Sequence, residues 1–513
     1  MKPMDMMVTD YNCEYLGLSR LCLMESAGKS LAEEVGKIAV YTFSKPVKIV
    51  IFTGSGGNGG DGFVAARYLL NRGYDVDIYM LKDNIRSHEA KINFEILENM
   101  KPRLSRLTIY NLKTLEDIDS TEVASNEKGE YIIVDGLLGT GIKGKLQTNV
   151  KRAIEVINES KGVKISVDVP SGMDPLTGQV NDLAVVPDYT ISFHKIKDGV
   201  RDADEELVGG LVTADIGIPF EAEYFINFGD FLRLKNRDSK SHKGNNGRLL
   251  IVGGSADYSG APAIAGMAAI GAGCDLVYVA TPEKSAQAIK STSPDLIVKS
   301  LDGEKLALNH MDEILAMADN VDAVLIGPGA GIDEDTSKLF NVMASKIKKP
   351  IVLDADALKQ VDMSLIKNRD DVILTPHIFE FKSFFNIGGD LKLDIDSYDF
   401  MKVDENITEF QKIVRQIKSA VIVKGKYDLI LSGSRFRINK SGNSGMTVGG
   451  TGDALAGICA CLLTQGLDPF DSACLGTFIN GLAGQKAYDE KGNGFSATDL
   501  VSYIGSVIKD GLC

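Results

Sequence analysis

Residues 47–62 read VKIVIFTGSGGNGGDG, and this stretch decides the fold of the chain's first half. Val47 to Phe52 is a short apolar run rich in β-branched residues, the pattern of a strand buried on both faces. Six glycines follow within nine residues, from Gly54 to Gly62, and a helical stretch is expected from Asp61 to Asn71. A plain strand-to-helix turn needs one or two glycines. Six leave a row of backbone N–H groups unshielded at a helix N-terminus, an arrangement that can wrap a pyrophosphate. Gly54, Gly56 and Gly59 satisfy GxGxxG, a weak match by itself. The acid that an ordinary dinucleotide fold wants after its second strand is ambiguous here: Asp75 and Asp77 open that strand and Asp83 lies just past it.

Outward from this unit the chain alternates helix-like and strand-like stretches. Leu16–Val40 reads as a helix, Asp75–Leu81 as a strand and His88–Asn99 as a helix. Tyr131–Val134, Val163–Val167 and Tyr189–Phe193 read as strands, with a helix over Lys151–Ser160. Strands separated by helices imply a mainly parallel sheet covered on both faces. The pattern breaks between Pro219 and Lys243, in a charged segment without period, and then resumes. Arg248–Val252, Leu276–Ala280, Ala323–Ile326, Ile351–Leu353, Val372–Leu374 and Val421–Val423 read as strands, and Thr451–Leu463 and Ser472–Tyr488 as helices. The expectation is an α/β chain of two tandem three-layer domains with mainly parallel sheets, residues 1–222 and 223–513.

Composition sets outer limits. The chain has 513 residues, 44% hydrophobic and 25% charged, which is enough apolar matter for two cores and excludes disorder as the main theme. Net charge is −14, from 70 acidic and 56 basic residues, which argues against nucleic acid and anionic membrane as partners. Seven scattered cysteines form no CxxC pair, so neither disulfides nor zinc are expected. The longest apolar run, Ala261–Cys274, is too short to cross a bilayer, and the N-terminus has no secretory h-region. A cytoplasmic setting is the default expectation.

Two acids mark strand ends in the first half. Tyr131–Val134 runs into Asp135-Gly136-Leu137-Leu138-Gly139-Thr140-Gly141, and Val163–Val167 into Asp168-Val169-Pro170-Ser171-Gly172-Met173-Asp174. One such Asp is commonly an Asx-turn or a helix cap. Two beside a polyglycine stretch favour a site where carboxylates ligate a cation or move a proton.

The motifs GSGGNGGDG, DGLLGTG and VDVPSGMD, in this order and spacing, resemble the N-terminal domain of the NAD(P)H-hydrate epimerases over about residues 10–220. The resemblance implies a Rossmann-like domain in which Asn58, Asp135 and Ser171 help hold K⁺. It implies that Gly57, Asn58, Gly59, Gly60 and Asp61, together with Gly139, Thr140, Gly141, Ile142, Lys143, Gly144 and Lys145, line the hydrated nucleotide. Asp168 is implied as the substrate-contacting acid/base at the reacting carbon. The family usually carries two adjacent Asn residues, where this chain has Gly57 and Asn58.

In the second half, Gly449-Gly450-Thr451-Gly452-Asp453 leads into a small-residue helix. Free N–H groups there can stabilise a transferring phosphoryl group, and Asp453 can accept the proton of an attacking hydroxyl. An acid in a first helical turn also simply complements the dipole, by about 0.3–1 kcal/mol; the surrounding glycines favour phosphoryl chemistry. No GxxxxGK[ST] P-loop occurs. The motif is similar to the anion-hole motif of ribokinase-type kinases. By that similarity Lys424, Gly425, Lys426, Tyr427, Asp428 and Gly452 contact adenine nucleotide, and Glu380 reaches Mg²⁺ through water.

One branch fits better than the rest. HKGNNGRLLIVGGSADYSGAPAIAGMAA from His242, IGPGAG from Ile326, LDADAL from Leu353, LTPHIFEF and GGTGD resemble the NAD(P)H-hydrate dehydratases over about residues 225–510. The implied hydrate contacts are Ala261, Gly329 or Gly331, His377 and Asp453. A lone His is more often structural, but His377 follows a strand beside Pro376. The chain departs from the family pattern at Gly271–Asp275, at Ile378-Phe379 and at Ser444.

Together the resemblances imply repair of hydrated nicotinamide coenzymes: epimerisation of R and S hydrates, then dehydration of the S form with ADP or ATP as phosphate donor, in a symmetric homo-oligomer. The alternatives are a vitamin or sugar kinase with a non-catalytic nucleotide-binding N-terminal domain, and a binding protein that has lost the chemistry. Retention of Asn58, Asp135 and Asp168 argues against the last.

Overall fold

The structure is a computed structural model, and it describes residues 1–81, 84–125, 129–139, 145–395 and 400–512. The chain divides into two units, Met1–Glu223 and Tyr224–Cys513. In the first, the strands are β1 (Lys48–Thr53), β2 (Val76–Met80), β3 (Leu107–Asn111), β4 (Tyr131–Gly136), β5 (Val163–Val167), β6 (Tyr189–Phe193) and β7 (Gly210–Ala214). They form one sheet in the order β3-β2-β1-β4-β5-β6-β7, every pair parallel. The order reverses between β1 and β4, and in such sheets ligands bind beyond the carboxyl ends at that reversal. The central strands are sealed: Ile49, Ile51, Phe52, Ile132, Ile133 and Val134 are fully buried.

The helix after β1 starts at Gly57, four residues before the expected Asp61, so most of the glycine stretch is helix. Gly59 and Gly60 are there for close packing. A Cβ on Gly59 would lie 2.4 Å from the Gly54 carbonyl oxygen, and one on Gly60 would lie 2.6 Å from the Met24 side chain. The expected helix over Leu16–Val40 is Arg20–Thr42, capped by Ser19, whose Oγ accepts the Cys22 N–H, and a further helix, Pro3–Tyr15, precedes it.

The second unit holds β8 (Arg248–Val252), β9 (Leu276–Pro282), β10 (Ile297–Leu301), β11 (Ala323–Ile326), β12 (Ile351–Leu353), β13 (Val372–Leu374), β14 (Ala420–Val423), β15 (Asp428–Ser432) and β16 (Arg435–Asn439). Their order is β10-β9-β8-β11-β12-β13-β14-β15-β16, parallel up to β14 and closed by an antiparallel hairpin. Helices Gly260–Gly271 and Thr451–Thr464 cover one face and approach closely; a Cβ on Gly457 would sit 2.1 Å from the Ala265 carbonyl oxygen. Ala454 to Leu463 are all buried. Each sealed Leu or Ile is worth about 1.5–3 kcal/mol, whereas an exposed ion pair such as Lys338–Glu334 is screened by water and contributes little. The cores, not the surface charges, hold both units.

Candidate functional sites at two sheet edges

In the first unit the predicted ion ligands come together at the ends of β4 and β5. Asp135 is still in the ladder, opposite Phe52 and Ser166, and is 1% exposed. Its Oδ1 accepts the Ser171 hydroxyl at 2.5 Å and the Leu137 N–H at 3.3 Å; its Oδ2 accepts the Ser166 hydroxyl and the Ser171 N–H, both at 2.9 Å. Burial raises the carboxyl above its ordinary range, and these donors pull it back. Asn58 Nδ2 donates to the Val167 carbonyl at 2.7 Å and the Leu138 carbonyl at 3.2 Å, and Ser171 Oγ donates to the same Leu138 oxygen at 3.3 Å. Gly139 is required beside them, since its Cβ would lie 2.5 Å from Asn58 Oδ1. The donor set is one carboxylate with neutral amide and hydroxyl oxygens, which suits a monovalent cation better than a divalent one.

Asp168 follows directly after β5 in a left-handed conformation, φ 65°. Its Oδ1 accepts the Phe193 N–H at 3.1 Å and the Lys197 ammonium. Lys197 is 1% exposed and also donates to the Phe193 carbonyl at 3.1 Å. Sequence reasoning missed Lys197 because a lysine in HKIKDG reads as a solvated charge; only the fold buries it. Asp61 is buried in the same cleft, and burial, with the charges of Asp168 and Asp10, lifts its carboxyl well above the usual range. Gly57 is exposed, Gly59 and Gly60 are buried, and Lys145 is exposed. Thr140, Gly141, Ile142, Lys143 and Gly144 lie outside the described residues.

In the second unit the site runs along the carboxyl ends of β11 to β14. Gly450, at φ 96°, turns the chain into helix Thr451–Thr464, whose first N–H groups have no intrahelical acceptor. Asp453 stands in its first turn. Burial and the neighbouring Asp354 and Asp356 push its carboxyl up to about 7, against the opposing pull of Lys424. Lys424 Nζ lies 3.4 Å from Asp354 Oδ1, which also accepts the Thr375 hydroxyl at 2.5 Å. Asp354 and Asp356, the acids at the end of β12, belong to the LDADAL stretch of the sequence.

His377 caps the helix Ile378–Phe384: its Nδ1 accepts the Phe379 and Glu380 N–H groups, and its own N–H donates to Glu380 Oε2 at 3.0 Å. Its ring is half exposed. Glu380 is buried, and it and Asp354 both act on the charge of Lys424. Among the described residues no group of three or more His, Cys, Asp or Glu forms a closed metal cage. Separate carboxylates around one lysine fit a Mg²⁺ that keeps most of its waters.

Ala261 and Gly329 face each other, and Gly331 N–H donates to Asp356 Oδ2 at 2.9 Å. In the loop after β14, Gly425 N–H donates to Asp428 Oδ1 at 3.2 Å, and Asp428 Oδ2 accepts Asn439 Nδ2 at 3.1 Å. Lys426 lies over the Tyr427 ring, and Gly452 faces the Lys424 ammonium, a Cβ there standing 3.5 Å away.

Residues 249–506 match the family model for NAD(P)H-hydrate dehydratase, and residues 20–199 that for the YjeF-related protein N-terminus. The bifunctional NAD(P)H-hydrate repair enzyme Nnr of Methanothermobacter thermautotrophicus is 46% identical, aligned over 100% of this chain and 96% of its own. The chain belongs to the bifunctional NAD(P)H-hydrate repair enzymes. The family member of Methanocaldococcus jannaschii is 37% identical over 99% of this chain and 93% of its own length. A solved ADP/ATP-dependent NAD(P)H-hydrate dehydratase from Bacillus subtilis, co-crystallised with ATP and Mg²⁺, covers 56% of this chain and 98% of its own at 23% identity, with a TM-score of 0.46. Both family models match this one polypeptide, the YjeF-related one first.

Proposed function

We propose that the first unit, residues 1–222 in the sequence division, epimerises hydrated NADH and NADPH, and that the second, residues 223–513, removes water from the S epimer at the cost of an adenine nucleotide. The chain is a bifunctional NAD(P)H-hydrate epimerase and dehydratase, and the observation that carries this is likeness end to end to a repair enzyme of the same two-part build. A small-molecule kinase with an idle N-terminal domain is not favoured, because both halves match and both keep their acids.

In the second site Asp453 takes the proton of the C6 hydroxyl, whose oxygen attacks the terminal phosphorus of the nucleotide. AMP leaves if ADP is the donor, ADP if it is ATP. The N–H groups heading helix Thr451–Thr464 hold the charge on the transferring phosphoryl group, and Lys424 balances the leaving phosphate. Phosphate then leaves C6, driven by the ring nitrogen's electron pair, and loss of a C5 proton restores the dihydropyridine. A Mg²⁺ held through water by Glu380 would neutralise phosphate charge. In the first site Asp168 handles the proton of the C6 hydroxyl during ring opening. A K⁺ held by Asn58, Asp135 and Ser171 would fix the loops after β4 and β5. Asn58 and Gly57–Asp61, with residues 139–145, line the substrate in this reading, and Ala261, Gly329 or Gly331, His377 and Asp453 contact the hydrate in the other site. The described cysteines are all free, which supports a cytoplasmic setting; a symmetric homo-oligomer belongs to the same reading.

Racemic hydrate incubated with the chain and ADP or ATP, followed by ³¹P NMR and chromatography, tests the reading. Reduced coenzyme, inorganic phosphate and AMP or ADP are expected. A stable phosphorylated product with no coenzyme would mean a kinase.

A further inference from the structure

Asp168 is one member of a larger cluster. Its partner Lys197 has no water-facing surface to share its charge, being 1% exposed with Asp168 and the Phe193 carbonyl as its contacts. Asp61 is 8% exposed, and among the described residues its carboxyl meets no hydrogen-bond or ion-pair partner. It is the fifth residue of helix Gly57–Asn71, in the cleft above the switch between β1 and β4. The charged and titratable groups that act on this cluster are Asp10 from helix Pro3–Tyr15, Arg20 from the head of helix Arg20–Thr42, Asp168 after β5, and His194 and Lys197 after β6. An unpaired buried carboxyl beside an ion-paired one gives two acids in opposite protonation states, the condition for acid and base work in one pocket.

We propose that Asp61 is the second proton carrier of the epimerisation, acting with Asp168, which the positioning residue Lys197 holds as the ionised base. The proposal rests on reading the first unit as the hydrate epimerase. Asp168 removes the C6 hydroxyl proton, the oxygen's electron pair forms the aldehyde C=O, and the C6–N1 bond breaks. Its electron pair goes to N1, which takes the proton from Asp61. Rotation about the C5–C6 bond presents the other aldehyde face. Closure runs in reverse: N1 attacks C6 and returns its proton to Asp61, and the new alkoxide takes the proton from Asp168. Both residues end as they began, and no oxidant or co-reactant is needed.

Burial and the charges of Asp168 and Asp10 keep Asp61 protonated well above the usual carboxylate range. The epimerisation rate is therefore expected to fall at alkaline pH as Asp61 loses its proton. The test uses the full chain with purified R hydrate, reading R-to-S conversion against pH by chromatography and hydrate binding by equilibrium titration. Asp61→Asn is expected to lower kcat by roughly 10²-fold or more, keep KM within a few-fold and lose the descending alkaline limb. Lys197→Met, which removes the ammonium that Asp168 accepts, is expected to lower kcat by roughly 10-fold or more with KM kept within a few-fold, and Lys197→Arg to regain part of the loss. Asp61→Asn that epimerises at the wild-type rate with an unchanged profile overturns the proposal. If Asn at 61 abolishes hydrate binding, the Lys197→Met kinetics decide, and an unchanged kcat overturns it. A wild-type chain that dehydrates S hydrate yet never converts R removes the epimerase reading itself, and the proposal with it.

Discussion

Ser171 Oγ lies 2.5 Å from Asp135 Oδ1 and ties the end of β4 to the loop after β5. The carboxylate it serves is buried and accepts four hydrogen bonds, so the loss of one is felt. Ser171→Ala leaves Oδ1 with only the 3.3 Å bond from the Leu137 N–H and is expected to cost about 1–3 kcal/mol. Burial then lifts Asp135 further, with less ionised carboxylate to offer a cation. A lower Tm and a higher K⁺ concentration for half-maximal epimerisation are expected, measured by calorimetry and by rate against added KCl. Rates that ignore K⁺ in both proteins would remove the ion from the reading.

Asp168→Ala separates the two activities. Dehydration of S hydrate should continue at the wild-type rate, because no group of the second site is touched. With racemic hydrate, wild type should carry the reaction to completion, whereas the variant should stop once the S epimer initially present is consumed. Coenzyme absorbance followed to its plateau reads this directly. Loss of both activities in a folded variant would show that the sites are not separate.

Gly139→Ala tests the geometry around Asn58. The new Cβ would stand 2.5 Å from Asn58 Oδ1, closer than real Cβ contacts allow. Asn58 must give up its bonds to Val167 and Leu138, or the loop must move. A destabilisation of about 1–3 kcal/mol is expected from the overpacking, with epimerisation reduced more than tenfold and dehydration kept. Chemical denaturation and the R-to-S assay check the two halves of this statement.

The parallel sheets were legible because buried central strands are short apolar runs; Val163–Val167, Ala323–Ile326 and Ile351–Leu353 appear as read. The edges were not. β10 alternates exposed and half-buried positions up to the buried Leu301, and β16 carries Arg435 and Arg437, the latter buried on Asp230 at 2.8 Å, so neither looks like a core strand in isolation. The glycine stretch misled in a specific way. Low helix propensity argues for a loop, but Gly59 and Gly60 sit inside a helix because the Gly54 carbonyl and Met24 press against them. In the sites, acids at strand ends could be found from sequence. Lys197, whose meaning comes from being buried against Asp168, could not.

Asp453 makes the pH behaviour of the second unit predictable in two independent ways. Its carboxyl is pushed up to about 7, chiefly by burial and then by Asp354. In its proposed role as base it must be ionised, so kcat/KM for S hydrate, which reports the free enzyme, should rise with pH and level off above about 7. The same shift has a consequence for folding. Between the ordinary value of 3.8 and about 7 the folded unit holds a proton that the unfolded chain has released. Stability from this group therefore falls as pH rises through that window and is lowest above it. Asp453→Asn removes the ionisable group. Its rate should drop by roughly 10²–10⁴-fold with no ascending limb near 7, while its Tm relative to wild type should climb from pH 4 to pH 7. Nucleotide-free melts across that range measure the second effect, and a flat difference between the two proteins would mean that Asp453 is not held protonated in the folded state.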